Sequence, residues 1–472
     1  MTAATPPALH WWTARALAAA IRNRELSCRE VVAWHLDRIA AINPRINAIV
    51  SLRPEQALAE ADRADRALAT RDDTGPLHGL PIAIKDLEDT AGIRTTYGST
   101  LFAEHVPTAD SLLAGRLRAA GAIVVGKTNT PEFGTGSHAF NEVFGVTRNP
   151  WALERSAGGS SGGAAAALSA GLLPIADGSD YGGSIRNPAS FNNVVGLRPT
   201  PGLVPHGDDD AWDPAGVTGP MARTVGDLAL MLTAIARPDP RSPLSYVARS
   251  SFDGELAASL EKVRVGWCPT LGNLPLEADV IGVLTHARDQ LSALGCVVTD
   301  LELDLTGADE AFETLRALRY ARRFGAQLTT LRQAAKQTVV WNIERGLSLD
   351  GPAIARAITL RSEVFATVAD ALERFDLLIA PSAQVVPFSA EDEFPTEIAG
   401  VKVPHYLGWM RVCSRLTVSA HPIAAVPAGF TAEGLPVGMQ LVGRYAGDRR
   451  LLELAAAWEL ASDLTERHPP LD

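Results

Sequence analysis

The chain has 472 residues, of which 46% are hydrophobic and 21% are charged, and it carries a formal net charge of −11. These values are typical of a globular protein, large enough for one big α/β domain or several smaller domains. The acidic balance argues against binding of nucleic acid or anionic membranes by this chain alone. No apolar run reaches the roughly 18 residues of a membrane helix, and the N-terminal residues lack a signal-peptide pattern. The four cysteines are scattered without a CxxC pair, so we expect a cytoplasmic protein without a disulfide framework.

Helical and strand patterns alternate along the chain. Helices are predicted for the segments 12–40, 54–70, 111–121, 162–171, 224–236 and 278–295, for three stretches within 308–375, and for 449–464. Strands are predicted for the short apolar runs at 46–50, 80–86, 122–128, 172–178, 263–268, 296–303, 376–382, 422–429 and 435–443. This alternation indicates an α/β fold with a mainly parallel or mixed sheet.

Stretches rich in proline and glycine, near 200–220 and 385–405, are predicted as loops within one domain. The acidic run at 208–210 is predicted as a solvated loop rather than a metal site. No group of His, Cys, Asp or Glu has the spacing of metal ligands.

The segment 155–200 contains two serines flanked by glycines, Ser160 in GGSSGG and Ser184 in DYGGSIR. Upstream, Lys85 ends the apolar run LPIAIKD, so its backbone is expected in the core. A serine hydroxyl is a weak nucleophile until a base takes its proton. A buried neutral lysine can be that base, because burial disfavours the charged form. Glycines beside a nucleophile let main-chain N–H groups turn toward a developing oxyanion.

Each of these residues also has a simpler interpretation. Lys85 could emerge into solvent at a strand end, Ser160 could cap the following helix, and Ser184 could lie in a glycine-rich turn. The letters GGSSG also match the G-x-S-x-G nucleophile elbow. An elbow needs an apolar strand before it, and the preceding RNPWALERSA is polar and irregular. Neither glycine segment has the spacing of a phosphate-binding loop.

Together these motifs resemble the amidase signature family, the Ser-cisSer-Lys amidohydrolases. The resemblance is nearly gap-free over 155–200 and includes GLPIAIKDLEDTAGIRTTYGS around Lys85. It continues in the segments 126–150, 219–232 and 426–443. The stretch 300–415 is less specific, and in this family it shapes the substrate pocket. Many members have a glycine near the position of Asn192 or Asn193, where this chain has two asparagines. This departure from the family pattern affects packing behind the site.

The resemblance implies a role for each matched residue. Lys85 is the base, Ser160 the bridging serine and Ser184 the nucleophile. The oxyanion hole is formed by the backbone N–H groups of Tyr181, Gly182, Gly183 and Ser184. The supporting residues are Ser161, Ser179, Asp180 and Arg186, with Asp180 and Arg186 paired to fix the oxyanion loop. Asp86 is expected to anchor a loop, and His138 and His421 to be loop or core residues. No metal or cofactor is implied.

The implied fold is one amidase-signature α/β domain over 1–472, with a central mixed β-sheet covered by helices on both faces. It comprises a helical N-terminal segment (1–70), a catalytic core (80–240) and a variable substrate-pocket region (300–415). The implied activity is hydrolysis of a carboxylic amide C–N bond, in a small or medium apolar or aryl amide, through an acyl-serine intermediate. Esters, anilides and carbamates share this chemistry. The expected partner is a small-molecule amide, without direct contact to nucleic acid or membrane, and homodimerisation is left open.

Another function fits the same motifs: the glutaminase, ammonia-donating component of a tRNA-dependent amidotransferase. A glutamine pocket needs an arginine and an aspartate for the zwitterion, and the sequence does not identify them within 300–430. A non-catalytic paralogue acting as a binding protein is disfavoured because Lys85, Ser160 and Ser184 are all intact.

Overall fold

A computed structural model describes residues 8–70, 74–207 and 211–471, so the acidic run at 208–210 lies outside the described residues. The α-helices in these ranges are α1 (Ala14–Arg22), α2 (Cys28–Ile46), α3 (Pro54–Thr70), α4 (Leu112–Ala119), α5 (Gly162–Ser169), α6 (Arg186–Phe191), α7 (Val225–Ile235), α8 (Ala278–Ala293), α9 (Ala308–Phe324), α10 (Leu328–Ala334), α11 (Gln337–Leu347), α12 (Gly351–Arg374), α13 (Arg411–Val418) and α14 (Asp448–Ser462). The strands are β1 (Ile49–Val50), β2 (Pro81–Lys85), β3 (Ile123–Thr128), β4 (Phe140–Asn141), β5 (Gly145–Val146), β6 (Arg148–Asn149), β7 (Ala152–Ser156), β8 (Ile175–Asp180), β9 (Val195–Arg198), β10 (Val217–Ala222), β11 (Arg264–Trp267), β12 (Val297–Asp300), β13 (Leu377–Pro381), β14 (Glu397–Ile398), β15 (Val401–Lys402), β16 (Ile423–Phe430) and β17 (Pro436–Val442).

A central sheet of eight strands has the order β12-β11-β13-β17-β16-β9-β10-β8. The sheet is mixed: β11 is parallel to both β12 and β13, and the remaining neighbours are antiparallel. Helices α5, α6, α7, α8 and α14 pack against it. The predicted α/β class with a central mixed sheet is therefore confirmed.

A second sheet of three strands, in the order β1-β3-β2, lies next to the edge strand β8. The main-chain N–H of Lys85, at the end of β2, donates to the Asp177 carboxylate of β8 at 3.0 Å. Between the two sheets runs α5, whose four consecutive alanines are all fully buried. This arrangement brings the ends of β2 and β8 and the start of α5 to one place.

The predicted helix over 12–40 is wrong as a single helix, because the chain forms α1 and α2 with a break between them. Ser27 explains the break. Its hydroxyl accepts from the Glu30 N–H at 3.1 Å, and the Glu30 carboxylate accepts from the Ser27 N–H at 2.8 Å. This reciprocal pair is a capping box, which starts a new helix at Cys28.

Residues 308–375 form three helical stretches, as predicted. The first consists of α9 and α10, joined without a break by the 3-10 turn Gly325–Gln327, and the others are α11 and α12. One further expectation is wrong. The stretch RNPWALERSA is not irregular, since β6 and β7 pair within it as a short antiparallel hairpin. The expected loops near 200–220 and 385–405 contain β10 and the hairpin of β14 with β15.

One large apolar cluster extends through the central sheet and its helices. All four cysteines are buried free thiols. In the ranges that the structure describes, no helix combines the length and the apolar character needed to cross a membrane.

Candidate active site

Lys85 is completely buried at the carboxyl end of β2, after four other buried residues of the same strand. Its ammonium nitrogen Nζ lies 2.7 Å from Ser160 Oγ, 2.8 Å from Ser161 Oγ and 3.0 Å from Ser179 Oγ. The alternative of a lysine that emerges into solvent is therefore wrong. The structure brings Lys85 and Ser160 together as the sequence predicted, and it adds two further serine hydroxyls to the lysine.

The protonation of Lys85 follows from this environment. Burial lowers the pKa of Lys85 to about 7, while the nearby carboxylates of Asp177, Glu88 and Asp180 oppose the shift. A neutral amine has two N–H donors and one lone pair, so one of the three hydroxyls must donate to it. Ser161 is already engaged, because its Oγ contacts the Ser179 carbonyl and accepts from the Ser179 N–H. Ser160, which makes the shortest contact, is suited to donate its proton to Lys85.

Asp177 of β8 is a buried carboxylate that contacts the main chain of Lys85. Burial raises the pKa of Asp177 to about 6, with Glu88 adding to the rise. Its Oδ1 accepts from the Lys85 main-chain N–H, whereas its Oδ2 is buried and has no hydrogen-bond partner in the part of the chain that the structure describes. Asp177 therefore holds the end of β2 in position.

Ser160 precedes α5 and follows a cis peptide bond with Gly159. The N-cap position of α5 is Ser161, and neither serine caps the helix with its side chain. The capping interpretation of Ser160 is therefore wrong, since its hydroxyl is turned to Lys85 instead. The elbow interpretation also fails, because β7 is a half-exposed strand of a small hairpin and not a buried central strand.

Ser184 lies in the loop between β8 and α6, and its carbonyl accepts from the Ser161 N–H at 3.1 Å. Its hydroxyl forms no hydrogen bond with any described residue, and it is not within hydrogen-bond distance of Ser160. Both hydroxyls nevertheless open onto the same cavity. Catalytic hydrogen bonds are often long before substrate binds, so this separation is compatible with a relay between the two serines.

Two glycines precede Ser184 for steric reasons that the structure makes plain. Gly183 has a φ of +120°, and a Cβ there would lie 2.5 Å from the Cβ of Cys413. A Cβ on Gly182 would lie 2.8 Å from both Met410 and Phe312. A side chain at Gly183 would therefore clash with α13 and strain the loop, and one at Gly182 would displace the ends of the Met410 and Phe312 side chains.

The main-chain N–H groups of this loop differ in whether they have a hydrogen-bond acceptor. Those of Tyr181, Gly182 and Ser184 donate to no described residue. The N–H of Gly183 donates to Asp180 Oδ1 at 3.0 Å. Three of the four predicted oxyanion donors are therefore open, and the fourth holds the loop.

The predicted pair of Asp180 and Arg186 is present and fully buried, with a contact of 2.8 Å. Burial alone would raise the pKa of Asp180, but the charges of Arg186 and Arg198 hold it well below its usual value. Besides Asp180, Arg186 donates to the Cys413 carbonyl, to Gln440 and to Thr417. The same carboxylate accepts from the N–H groups of Gly183 and Ile185. Asp180 thus fixes both sides of Ser184.

The other predicted residues lie around this centre. Asp86 accepts from the N–H and hydroxyl of Thr96 and so anchors the following loop. His138 and His421 are buried and bond to main-chain carbonyls, as expected of core residues. Asn193 has a φ of +54°, the left-handed region that glycine favours and asparagine tolerates, which accounts for the departure from the family pattern.

A cavity of about 510 Å³ contains the hydroxyls of Ser160 and Ser184. The sequence reasoning missed the part of its wall that comes from α9, namely Arg316, Arg319, Tyr320 and Arg323. Their spacing of three to four residues along one helix was the available signal. This wall gives the cavity a polar side that is rich in arginine.

Comparison with known proteins agrees with this geometry. The sequence profile of the Amidase family matches residues 30–452. An acylamidase of Rhodococcus erythropolis is 34% identical over 98% of either chain. A glutamyl-tRNA(Gln) amidotransferase subunit of Moorella thermoacetica is also 34% identical, over 98% of this chain and 99% of its own. The solved structure of a bacterial aryl acylamidase of the amidase signature family matches with a TM-score of 0.90 at 28% identity, covering 98% of this chain and 99% of that chain. The chain therefore belongs to the amidase signature family of hydrolases.

Proposed function

We propose that the protein hydrolyses the C–N bond of small or medium carboxylic amides through an acyl-serine intermediate on Ser184. The observation that carries this proposal is the contact of 2.7 Å between Ser160 and a fully buried lysine. Because the pKa of Lys85 is lowered to about 7, a large fraction of the lysine is neutral at physiological pH. Neutral Lys85 is a base, and the serine bonded to it is a proton carrier.

The reaction begins when Ser184 attacks the amide carbonyl. The Ser184 proton passes to Ser160 as the Ser160 proton passes to Lys85. This transfer requires the two hydroxyls, which open onto the same cavity, to come into hydrogen-bond contact when substrate is bound. Collapse of the tetrahedral intermediate breaks the C–N bond, and the proton returns from Lys85 through Ser160 to the leaving nitrogen. Water then attacks the acyl-serine, and the same relay removes its proton and restores Ser184.

The negative oxygen of the intermediate is stabilised by main-chain donors. We assign this role to the N–H groups of Tyr181, Gly182 and Ser184, which have no acceptor among the described residues. The N–H of Gly183 instead keeps the loop in place through Asp180. Losing one such donor typically costs about 3 kcal/mol of transition-state stabilisation.

The substrate class is amides with an apolar or aryl part, and anilides, esters and carbamates have the same tetrahedral chemistry. Supporting it are the side chains of Tyr97, Phe133 and Met410 in the cavity wall. The similarity to an acylamidase and to an aryl acylamidase points the same way.

A second candidate is the release of ammonia from glutamine for an amidotransferase. One observation favours this candidate: an amidotransferase subunit is as similar to this chain, at 34% identity, as the acylamidase is. This candidate requires a partner chain that uses the ammonia.

The test is a screen of the purified chain alone against anilides, aliphatic amides, esters, carbamates and glutamine. We expect hydrolysis of an anilide or aliphatic amide, and a fluorophosphonate probe should label Ser184, as found by peptide mass analysis. Ser184→Ala should abolish both hydrolysis and labelling. A fully active Ser184→Ala enzyme, with the label on Ser160, would overturn the assignment. Turnover of glutamine alone would favour the second candidate.

A further inference from the structure

Arg316 of α9 is a buried cation in the wall of the catalytic cavity. The residue is only 4% exposed, yet it is one of those that line the cavity of Ser160 and Ser184. Among the described residues, no carboxylate lies within ion-pair distance of its guanidinium. Buried charges in proteins are normally paired, because an isolated one is costly to desolvate. An arginine left without an anion beside a reaction centre therefore needs an explanation.

The side chains that contact the Arg316 guanidinium are neutral. Three tyrosine rings surround it, those of Tyr181, Tyr320 and Tyr406, and they stabilise its charge without pairing it with an anion. Its Nε donates to the Tyr406 hydroxyl and its Nη2 to the Tyr320 hydroxyl, both at 3.1 Å. The Tyr320 hydroxyl is fixed in turn by Thr135 at 2.7 Å, and that of Tyr406 by Asn342 at 2.7 Å. These contacts orient the guanidinium without neutralising it. The remaining nitrogen, Nη1, has no hydrogen-bond partner among the described residues.

Arg316 is also close to the oxyanion loop. Its guanidinium carbon lies 5.6 Å from the centroid of the Tyr181 ring, and Tyr181 is one of the loop residues with an open N–H group. One turn earlier on α9, Phe312 contacts Gly182 of the same loop. A substrate bound at Ser184 therefore lies next to this part of α9.

We propose that Arg316 binds a carboxylate carried by the substrate, so that the preferred amides bear a negative charge away from the scissile bond. The proposal rests on the proposed amide hydrolysis and narrows its substrate class. The open Nη1 supplies N–H donors, and the delocalised positive charge supplies attraction to a carboxylate oxygen. Tyr406 is a positioning residue, since it aims the guanidinium and is not one of the residues that line the cavity, whereas Tyr320 aims the guanidinium from the cavity wall.

The experiment compares matched substrates with and without a carboxylate. On the acyl side, glutaryl 4-nitroanilide is compared with pentanoyl 4-nitroanilide. On the amine side, 4-acetamidobenzoate is compared with 4-methylacetanilide. Wild-type enzyme should prefer the carboxylate member in at least one pair. Because a charge-assisted hydrogen bond is lost, Arg316→Gln should lower the kcat/KM ratio of charged to neutral substrate by about 10- to 100-fold, mainly through KM.

Arg241 provides the matched control. It lines the same cavity, but it is 67% exposed and paired with Asp239 at 2.9 Å. Arg241→Gln should leave the charged-to-neutral ratio unchanged. Arg316→Lys retains the charge and should keep part of the preference, which separates recognition of charge from loss of folding.

The outcomes separate the two proposals. If wild-type enzyme cleaves amides through Ser184 without preferring a carboxylate, or if Arg316→Gln lowers both members of each pair equally, the role of Arg316 is overturned and amide hydrolysis stands. If no amide is cleaved, the proposed function fails and the carboxylate preference fails with it.

Discussion

At the scale of single residues, Lys85 combines two properties that oppose each other in water. A lysine is a good base only when it is neutral, and an exposed lysine is neutral only at high pH. Complete burial shifts this balance, and three hydroxyls replace the water that the amine has lost. The result is an amine with a lone pair at neutral pH, already in contact with the hydroxyl of Ser160.

This arrangement predicts the pH dependence of hydrolysis. Protonated Lys85 cannot accept a proton, so kcat/KM should rise with pH up to the lowered pKa of about 7 and then level off. Lys85→Arg keeps a positive charge but has no basic lone pair at any accessible pH. It should lower kcat/KM on an unactivated amide by at least about 10²- to 10⁴-fold, the usual range for general acid–base catalysis, and remove the rising limb. Near wild-type turnover by Lys85→Arg in a pH series would rule out the relay.

The sequence could predict the residues that lie in short local motifs. Lys85, Ser160 and Ser184 stand beside glycines or at the end of an apolar run, and Asp180 and Arg186 flank the second serine. The helical spacing of Arg316, Arg319 and Arg323 indicates that they share one face of α9, but not that this face meets the site. Arg316 lies more than 100 residues later on a helix with many arginines, and only packing decides which of them is buried. Likewise, the bond from Ser161 to Lys85 depends on the path of the chain before α5.

At the scale of secondary-structure elements, Arg186 connects the site to its surroundings. It belongs to α6 and binds Asp180 at the end of β8, Cys413 and Thr417 on α13, and Gln440 on β17. One side chain thus joins four elements, two of which lie more than 200 residues further along the chain. The loop that carries Ser184 is held by the Asp180 carboxylate, so the position of Ser184 depends on this ion pair.

Replacement of Arg186 should therefore destabilise the whole fold. Arg186→Met leaves the Asp180 carboxylate buried beside fewer donors, and breaking a buried pair in this way typically costs about 3–5 kcal/mol of unfolding free energy. Urea denaturation followed by circular dichroism measures this loss. Arg264→Met is the control, because Arg264 pairs with Asp376 at a surface position where it is 45% exposed. That change should cost less than about 1 kcal/mol, and equal losses in both variants would contradict the central role of Arg186.

The predicted elements were most accurate where the apolar pattern was long and uninterrupted. The helix predicted for 54–70 coincides with α3, and the run LPIAIKD contains β2. The division of 12–40 was missed although its signal, Ser27 followed by Glu30, is visible in the sequence. Helices α6 and α13 were not identified. They are short and lie inside the core, where burial on most sides removes any amphipathic pattern.

At the scale of the whole molecule, the fold buries Lys85 completely, and this burial costs free energy whenever the lysine is charged. In the unfolded chain Lys85 is exposed and keeps its ordinary pKa of 10.5, whereas in the folded chain the pKa is about 7. The unfolded state therefore binds more protons between these two pH values, and folding becomes more favourable as pH rises across this window. Below pH 7 the lysine is charged in both states and the full penalty of burying the charge is present. The contribution of Asp177 to the free energy of unfolding changes at lower pH, between its ordinary pKa of 3.8 and its raised pKa of about 6.

Lys85, the proposed base, is thus a source of instability, and its removal should strengthen the fold. A pKa lowered from 10.5 to about 7 corresponds to roughly 5 kcal/mol of unfavourable charge burial. Lys85→Met, which fills a similar volume without charge, should be inactive yet more resistant to urea than wild type at pH 6. Its advantage should shrink as the pH is raised toward 10. An advantage that stays constant with pH would show that Lys85 is charged in the folded protein throughout, and the enzyme would then have no base.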